Sequence, residues 1–171
     1  MSAGIHRLSN GLRIVTEPMP GLHSAAIGLW VTAGGRHERL EQNGIAHFLE
    51  HMAFKGTQTR SARQIAEEME TIGGEFNAAT HVETTAYYVR LMGEDLPAAL
   101  AIIADILKHS RFDPAEVKRE KGVILQELSA VEDEPEDWLS DMFGERAFPD
   151  QPIGRAILGT RESVRSFDAG A

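Results

Sequence analysis

Residues 44–57 read Gly44-Ile45-Ala46-His47-Phe48-Leu49-Glu50-His51-Met52-Ala53-Phe54-Lys55-Gly56-Thr57. Within this stretch Ile45, Phe48, Leu49 and Met52 fall at i, i+3, i+4 and i+7, the spacing of one apolar stripe on an α-helix. His47 and His51 lie one turn apart on the other side, so two imidazole nitrogens can converge on one ion at about 2.0–2.1 Å. Glu50 projects beside that pair, where its carboxylate can accept a proton from water. The apolar stripe is predicted to pack on the core, leaving the His/Glu side facing whatever lies above the helix.

Upstream of this helix the pattern is that of strands. Residues near 5–8 and 12–17 flank Asn10-Gly11, a two-residue hairpin signal, and residues 25–31 form a third apolar run. A turn-rich segment, Gly34 to Glu38, separates these strands from the helix. Downstream, Ser61 and Gln64 form a capping box for a second helix that carries Ile65, Met69 and Ile72 inward and stops at Gly73-Gly74. Residues 74–79 and 82–91 then predict a second hairpin, whose later strand is rich in Thr, Tyr and Val. Asp95 and Pro97 predict the start of a helix with a Leu96, Leu100, Ile103, Leu107 stripe. Asp113-Pro114-Ala115-Glu116 opens another helix, with an N-cap, a proline at N1 and an acid at N3. That helix should run to about Glu134, where Pro135 ends or breaks it. The expected fold is α+β: a mixed, largely antiparallel sheet with helices packed on one face, in an order of strands that the pattern does not fix.

Composition limits the chemistry. The 171 residues suit one domain, and 42% hydrophobic with 25% charged residues is ordinary for a globular core. There is no cysteine, so any transition-metal site must use His and carboxylate. The opening residues Met1 to His6 lack the basic and apolar stretches of a signal peptide, and no apolar run reaches spanning length, which predicts a cytoplasmic protein without membrane insertion. Acids outnumber bases by 26 to 17, a formal charge of -9, which argues against a nucleic-acid partner. Between Glu127 and Asp141 stand Glu127, Glu132, Asp133, Glu134, Glu136, Asp137 and Asp141 with no Lys or Arg. Such a run is a solvated face or an attractor for basic peptides.

A catalytic zinc takes three protein ligands, and the helix after Pro114 offers carboxylates for the third place. Val117, Ile124, Leu128 and Val131 form its apolar stripe, bordered by Glu116, Glu120, Glu127 and Glu134. Helical geometry alone does not choose among these four.

The chain resembles the pitrilysin and insulin-degrading-enzyme peptidases, the inverted zincins, and most closely the catalytic subunits of mitochondrial processing peptidases and their bacterial relatives. The resemblance rests on Gly11-Leu12-Arg13, the block from Gly44 to Thr57, Gly74-Glu75-Phe76-Asn77-Ala78, and the segment from Glu120 to Glu127, and it runs from about Leu8 to Phe167. It implies a zinc-dependent endopeptidase acting on extended, basic peptides or unfolded protein, with one Zn2+ held by His47, His51 and Glu127 and with Glu50 activating water. It implies that Glu120 supports catalysis from beside the metal, that Asn77 and Ala78 hold substrate backbone on a sheet edge, and that Phe54 lines the pocket after the scissile bond. Asp137 and Asp141 fall where processing peptidases carry acids for a substrate arginine. Residues 1–171 would correspond to the N-terminal metal-binding domain, incomplete at its C-terminal end and without the second homologous domain, so that a homodimer or a homologous subunit or domain is the expected partner. The alternatives are a non-catalytic scaffold or regulatory relative, in which zinc residues are typically lost, or an inactive fragment of a longer peptidase.

Overall fold

A computed structural model describes residues 3–170; Met1, Ser2 and Ala171, and with them part of the stretch read above for a signal peptide, lie outside the described residues. The elements in order are β1 (Gly4–Arg7), β2 (Arg13–Thr16), β3 (Ser24–Val31), α1 (Ile45–Ala53), α2 (Ala62–Ile72), β4 (Glu75–Thr80), β5 (Thr85–Met92), α3 (Leu96–Lys108), α4 (Pro114–Asp133), α5 (Pro135–Ala147) and α6 (Arg161–Ser166). Strands β3, β5 and β4 make one antiparallel sheet in that spatial order, while β1 and β2 pair, among the described residues, only with each other. The α+β expectation holds, with both sheets antiparallel throughout among the described residues. No helix among those residues is long and apolar enough to cross a membrane.

Strand alternation explains which face is covered. The register aligns Leu29, Tyr87 and Ala78 in one row and Ile27, Val89 and Phe76 in the next. These rows face one way, and they pack with Ile65 of α2 and Ala99, Ile102, Ile103 and Ile106 of α3 into the larger apolar cluster. Trp30, Tyr88 and Met92 occupy the opposite, exposed face. The helices therefore lie on one side of the sheet, as the pattern predicts.

A second cluster joins Phe48 and Met52 of α1 to Val117 and Ile124 of α4 and to Val164 and Phe167 at the end of the chain. The Phe48 and Phe167 rings meet edge to face with centroids 5.3 Å apart. Ala53, one residue beyond Met52, belongs to the first cluster. Helix α1 is thus held from two sides. Leu49, expected in the core stripe, is instead 43% exposed, because Phe48 and Met52, with Ile45 packed beside them, make up the α1 side of this cluster.

Several local signals need correction or refinement. The first hairpin is not a two-residue turn at Asn10-Gly11: Leu8 N–H donates to the Leu12 carbonyl, and the Asn10 side chain accepts from Leu12 N–H, giving a longer loop. Asp95 makes no side-chain cap bond, since a 3-10 turn over Gly93–Asp95 runs directly into α3. The Ser61–Gln64 capping box and the Asp113 cap both form. Pro135 ends α4 as expected and also begins α5, a helix the pattern did not predict.

The start of α1 carries no cap from its own N-cap residue, Gly44, whose φ of 92° favours glycine. A Cβ there would also lie 2.5 Å from the Leu158 carbonyl oxygen. The buried Glu38 supplies the missing acceptor: its Oε2 takes Gly44 N–H at 2.8 Å and the Asn43 amide at 3.1 Å, and its Oε1 takes Ala46 N–H at 2.7 Å. A carboxylate at a helix N-terminus meets both the free N–H groups and the positive end of the helix dipole.

The loop leaving α1 is fixed to α3 by Asp105. Its Oδ2 accepts from Thr57 Oγ at 2.7 Å, Thr59 Oγ at 3.1 Å and Arg60 at 2.7 Å, and its Oδ1 pairs with His109 Nδ1 at 2.9 Å. Burial alone would raise the Asp105 pKa, but the donors from Thr57, Arg60, His109 and Thr59 outweigh it and hold the carboxyl well below the usual range. A depressed native pKa adds stability that is fully present above the unfolded value, near about pH 4, and is lost as pH falls through the native one. Asp105→Asn should therefore cost about 2 kcal/mol at neutral pH. In urea unfolding the gap to wild type should narrow as the pH is lowered below the ordinary carboxylate range.

Candidate metal centre

Helix α1 presents His47 and His51 about 100° round its axis from Phe48 and Met52, and α4, which packs on those two, also presents Glu127 to the imidazoles. The histidine rings lie 4.5 Å apart at 64°. Glu127 Oε2 stands 3.9 Å from His47 Nε2 and 3.7 Å from His51 Nε2. These separations exceed a direct hydrogen bond. They sit close to the edge of about 3.4 Å expected between donors that share a tetrahedral ion at about 2.1 Å. Among the described residues this is the one group of three or more His, Cys, Asp or Glu side chains with metal-holding geometry, all ligand atoms lying within 4.8 Å of one another.

The donor chemistry fits a zinc ion. His47 has its pKa lowered by burial first and by His51 second, with Glu127 opposing, so its imidazole is kept neutral as a metal ligand must be. Its buried Nδ1 has no hydrogen-bond partner among the described residues, and Nε2 is the nitrogen facing Glu127. His51 uses Nδ1 differently: it bonds Glu120 Oε1 at 2.8 Å, which orients the ring and leaves Nε2 directed at Glu127.

The four candidate glutamates of α4 are separated by their surroundings. Glu116 is engaged by Arg119 on the surface, and Glu134 is the junction between α4 and α5. Glu120 is 2% exposed and lies between two cationic or polar partners, with Lys55 Nζ 2.9 Å from Oε2. Burial would raise its pKa, but the bonds from Lys55 and His51 lower it overall. Glu127, two turns further on, has no such engagement.

Glu50 projects from α1 toward the sheet, where Thr80 Oγ donates to its Oε2 at 2.5 Å. Tyr87, beneath it on β5, has its phenol pushed up to about 12 by burial and by the Glu50 charge. Phe54 caps the end of α1 and packs on Tyr87 with ring centroids 6.3 Å apart. Asn77 and Ala78 lie on β4, the edge strand, and Ala78 N–H donates to the Asn77 Oδ1 at 2.9 Å and so stays outside the ladder with β5. Asp137 and Asp141 lie on α5 outside the His47, His51 and Glu127 group; Asp137 is exposed, while Asp141 is partly buried with its pKa raised by burial, Glu145 and Asp137 in that order.

Glu38, Lys55, Thr80 and Tyr87 were not picked out by sequence reasoning. Lys55 lies just past the end of α1 and gave no signal of its own, because its partner Glu120 is 65 residues away in the chain. Thr80 shares the strand face of Phe76 and Ala78, which points toward the helices.

The model of the insulinase family, peptidase family M16, matches residues 13–161. A protein of Rickettsia bellii named as an uncharacterized zinc protease is 49% identical over 164 residues, covering 96% of this chain and 40% of that protein. The uncharacterized zinc protease YmxG of Bacillus subtilis is 47% identical over 159 residues, covering 93% and 39% respectively. The chain therefore spans about two fifths of the length of these curated relatives. The crystal structure of pitrilysin superposes with a TM-score of 0.83 at 26% identity, covering 95% of this chain and 18% of that one.

Removing the buried carboxylate between Lys55 and His51 leaves two partly buried partners unpaired. Glu120→Ala should lower zinc affinity about 10- to 100-fold, the usual effect of losing a partner behind a metal-ligating histidine. Competition with a chromophoric chelator measures this directly.

Proposed function

The chain belongs to the insulinase family of peptidases, M16, and on that premise we propose that it is the metal-binding part of a zinc-dependent endopeptidase. His47, His51 and Glu127 hold one Zn2+, Glu50 is the general base, and Glu120 orients His51. The observation that carries this reading is the convergence of His47 Nε2 and His51 Nε2 on Glu127 Oε2 at 3.9 and 3.7 Å, across helices joined by an apolar contact.

Bound zinc would supply polarisation of the scissile carbonyl and a lowered pKa for the attacking water. Glu50 accepts a proton from that water as it attacks, and then returns the proton to the leaving nitrogen. The free edge of β4 suits a peptide that adds as an extra antiparallel strand. Ala78 N–H is the natural donor for its backbone, once the Asn77 side chain gives it up to the incoming carbonyl. Phe54, packed on Tyr87 at the end of α1, would line the pocket for the residue after the cleaved bond.

The preference for basic substrates rests on Asp137 and Asp141, one turn apart on α5. The Asp141 pKa is raised first by burial and then by Glu145 and Asp137, and a guanidinium placed beside these carboxylates would offset the repulsive part. The length of the relatives supports a working enzyme in which a homologous domain or subunit closes over the peptide. A non-catalytic scaffold role is disfavoured because no member of the zinc set is missing.

Three variants test the assignment. Glu50→Gln should keep one equivalent of zinc by atomic absorption yet lose about 10²-fold or more in cleavage of a fluorogenic arginine-containing peptide. His51→Ala should lose the metal itself, and 1,10-phenanthroline should abolish wild-type turnover until zinc is restored. Undiminished turnover in Glu50→Gln would remove the base assignment. In Asp137→Asn/Asp141→Asn, KM for the arginine peptide should rise while turnover of a neutral peptide stays unchanged.

A further inference from the structure

Glu50 is a flexible side chain whose carboxylate must reach a reacting water from one direction, yet none of its neighbours on α1 holds it. Among the described residues its one hydrogen bond comes from across the site, from Thr80 Oγ to Oε2 at 2.5 Å. Thr80 is the last residue of β4, paired in register with Thr85 at the closed end of the hairpin. Its position in the row of Phe76 and Ala78 turns the side chain toward α1, and β-branching restricts χ1, so the donor is delivered from a stiff platform.

We propose that Thr80 is a positioning residue for the general base, selecting the Glu50 conformer in which Oε2 is taken and Oε1 alone is left for the proton of the attacking water. This rests on the reading of Glu50 as base. The hydroxyl donates throughout: it bonds the carboxylate before proton transfer and the carbonyl oxygen of the neutral acid after it, so no proton is lost to Thr80. The same strand offers Ala78 N–H at its free edge, two residues away. The donor that holds the base and the donor proposed for substrate backbone therefore lie on one strand, β4.

The test compares Thr80→Val, which keeps the shape and removes the donor, with Thr80→Ser, which restores it, both as the zinc-loaded protein. In crystal structures the Glu50 carboxylate should leave its wild-type position in Thr80→Val and recover it in Thr80→Ser, with zinc stoichiometry unchanged in both. Turnover should fall about 10- to 100-fold in Thr80→Val with KM within about twofold of wild type, less than the loss on removing the base itself. An unmoved carboxylate in Thr80→Val, or a loss confined to KM or to zinc content, would overturn the proposal. If Glu50→Gln remains active, the base reading fails instead, and the crystallographic comparison still decides whether Thr80 fixes the side chain.

Discussion

Helix α1 touches two apolar clusters at once, and the position of every group in the candidate site depends on that double contact. Phe48 and Met52 fix its distance and rotation against α4, while Ala53 ties its end to the cluster formed with the sheet and α3. A helix held on only one side could roll, and a roll of one residue position, about 100°, would carry both imidazoles away from Glu127. Burying Phe48 and Met52 against Val117 and Ile124 contributes about 1.5–3 kcal/mol per side chain. The stabilisation of the core and the geometry of the candidate site therefore arise from the same contacts.

The two ends of α1 are secured by buried carboxylates rather than by more apolar surface. Glu38 satisfies Gly44 and Ala46 N–H at the start, and Asp105 gathers the loop that follows. Both are fully engaged, which is the condition under which a buried charge is tolerated. Glu120 follows the same rule with a different result. Lys55 and His51 share its two oxygens, so the negative charge behind His51 is balanced by an ammonium and the ring is oriented without the carboxylate reaching the metal position.

The helical stripe around His47 and His51, the Ser61–Gln64 box, the Asp113 start and the break at Pro135 were all legible, because each depends on residues within one or two turns. What was not legible depended on distant partners. Leu49 fits the apolar stripe by spacing, and only the arrival of α4 over Phe48 and Met52 leaves it outside. Asp95 looks like a cap, but the 3-10 turn before it holds Asp95 itself in the helical region instead of the extended conformation of a capping residue. Glu38 could not be recognised as the α1 cap, since a carboxylate six residues before Gly44 reaches it only through the intervening loop. The strand order β3, β5, β4 was equally out of reach, because alternation reports which face a residue takes and not which strand lies beside it.

The contrast between Glu120 and Glu127 shows why one helix can offer two glutamates and give them different work. They are seven residues apart, so they lie on nearly the same side of α4, with a drift of about 20° between them. Glu120 is sealed at the level of Lys55 and has no room to move. Glu127 lies at the level of the two Nε2 atoms with its side chain 40% exposed, close to both and bonded to neither. Bringing Glu127 Oε2 the remaining few tenths of an ångström toward each Nε2 is within reach of a rotation of that side chain. A carboxylate that is free to rotate can take up a ligand position, whereas one already bound on both oxygens can only orient its neighbour.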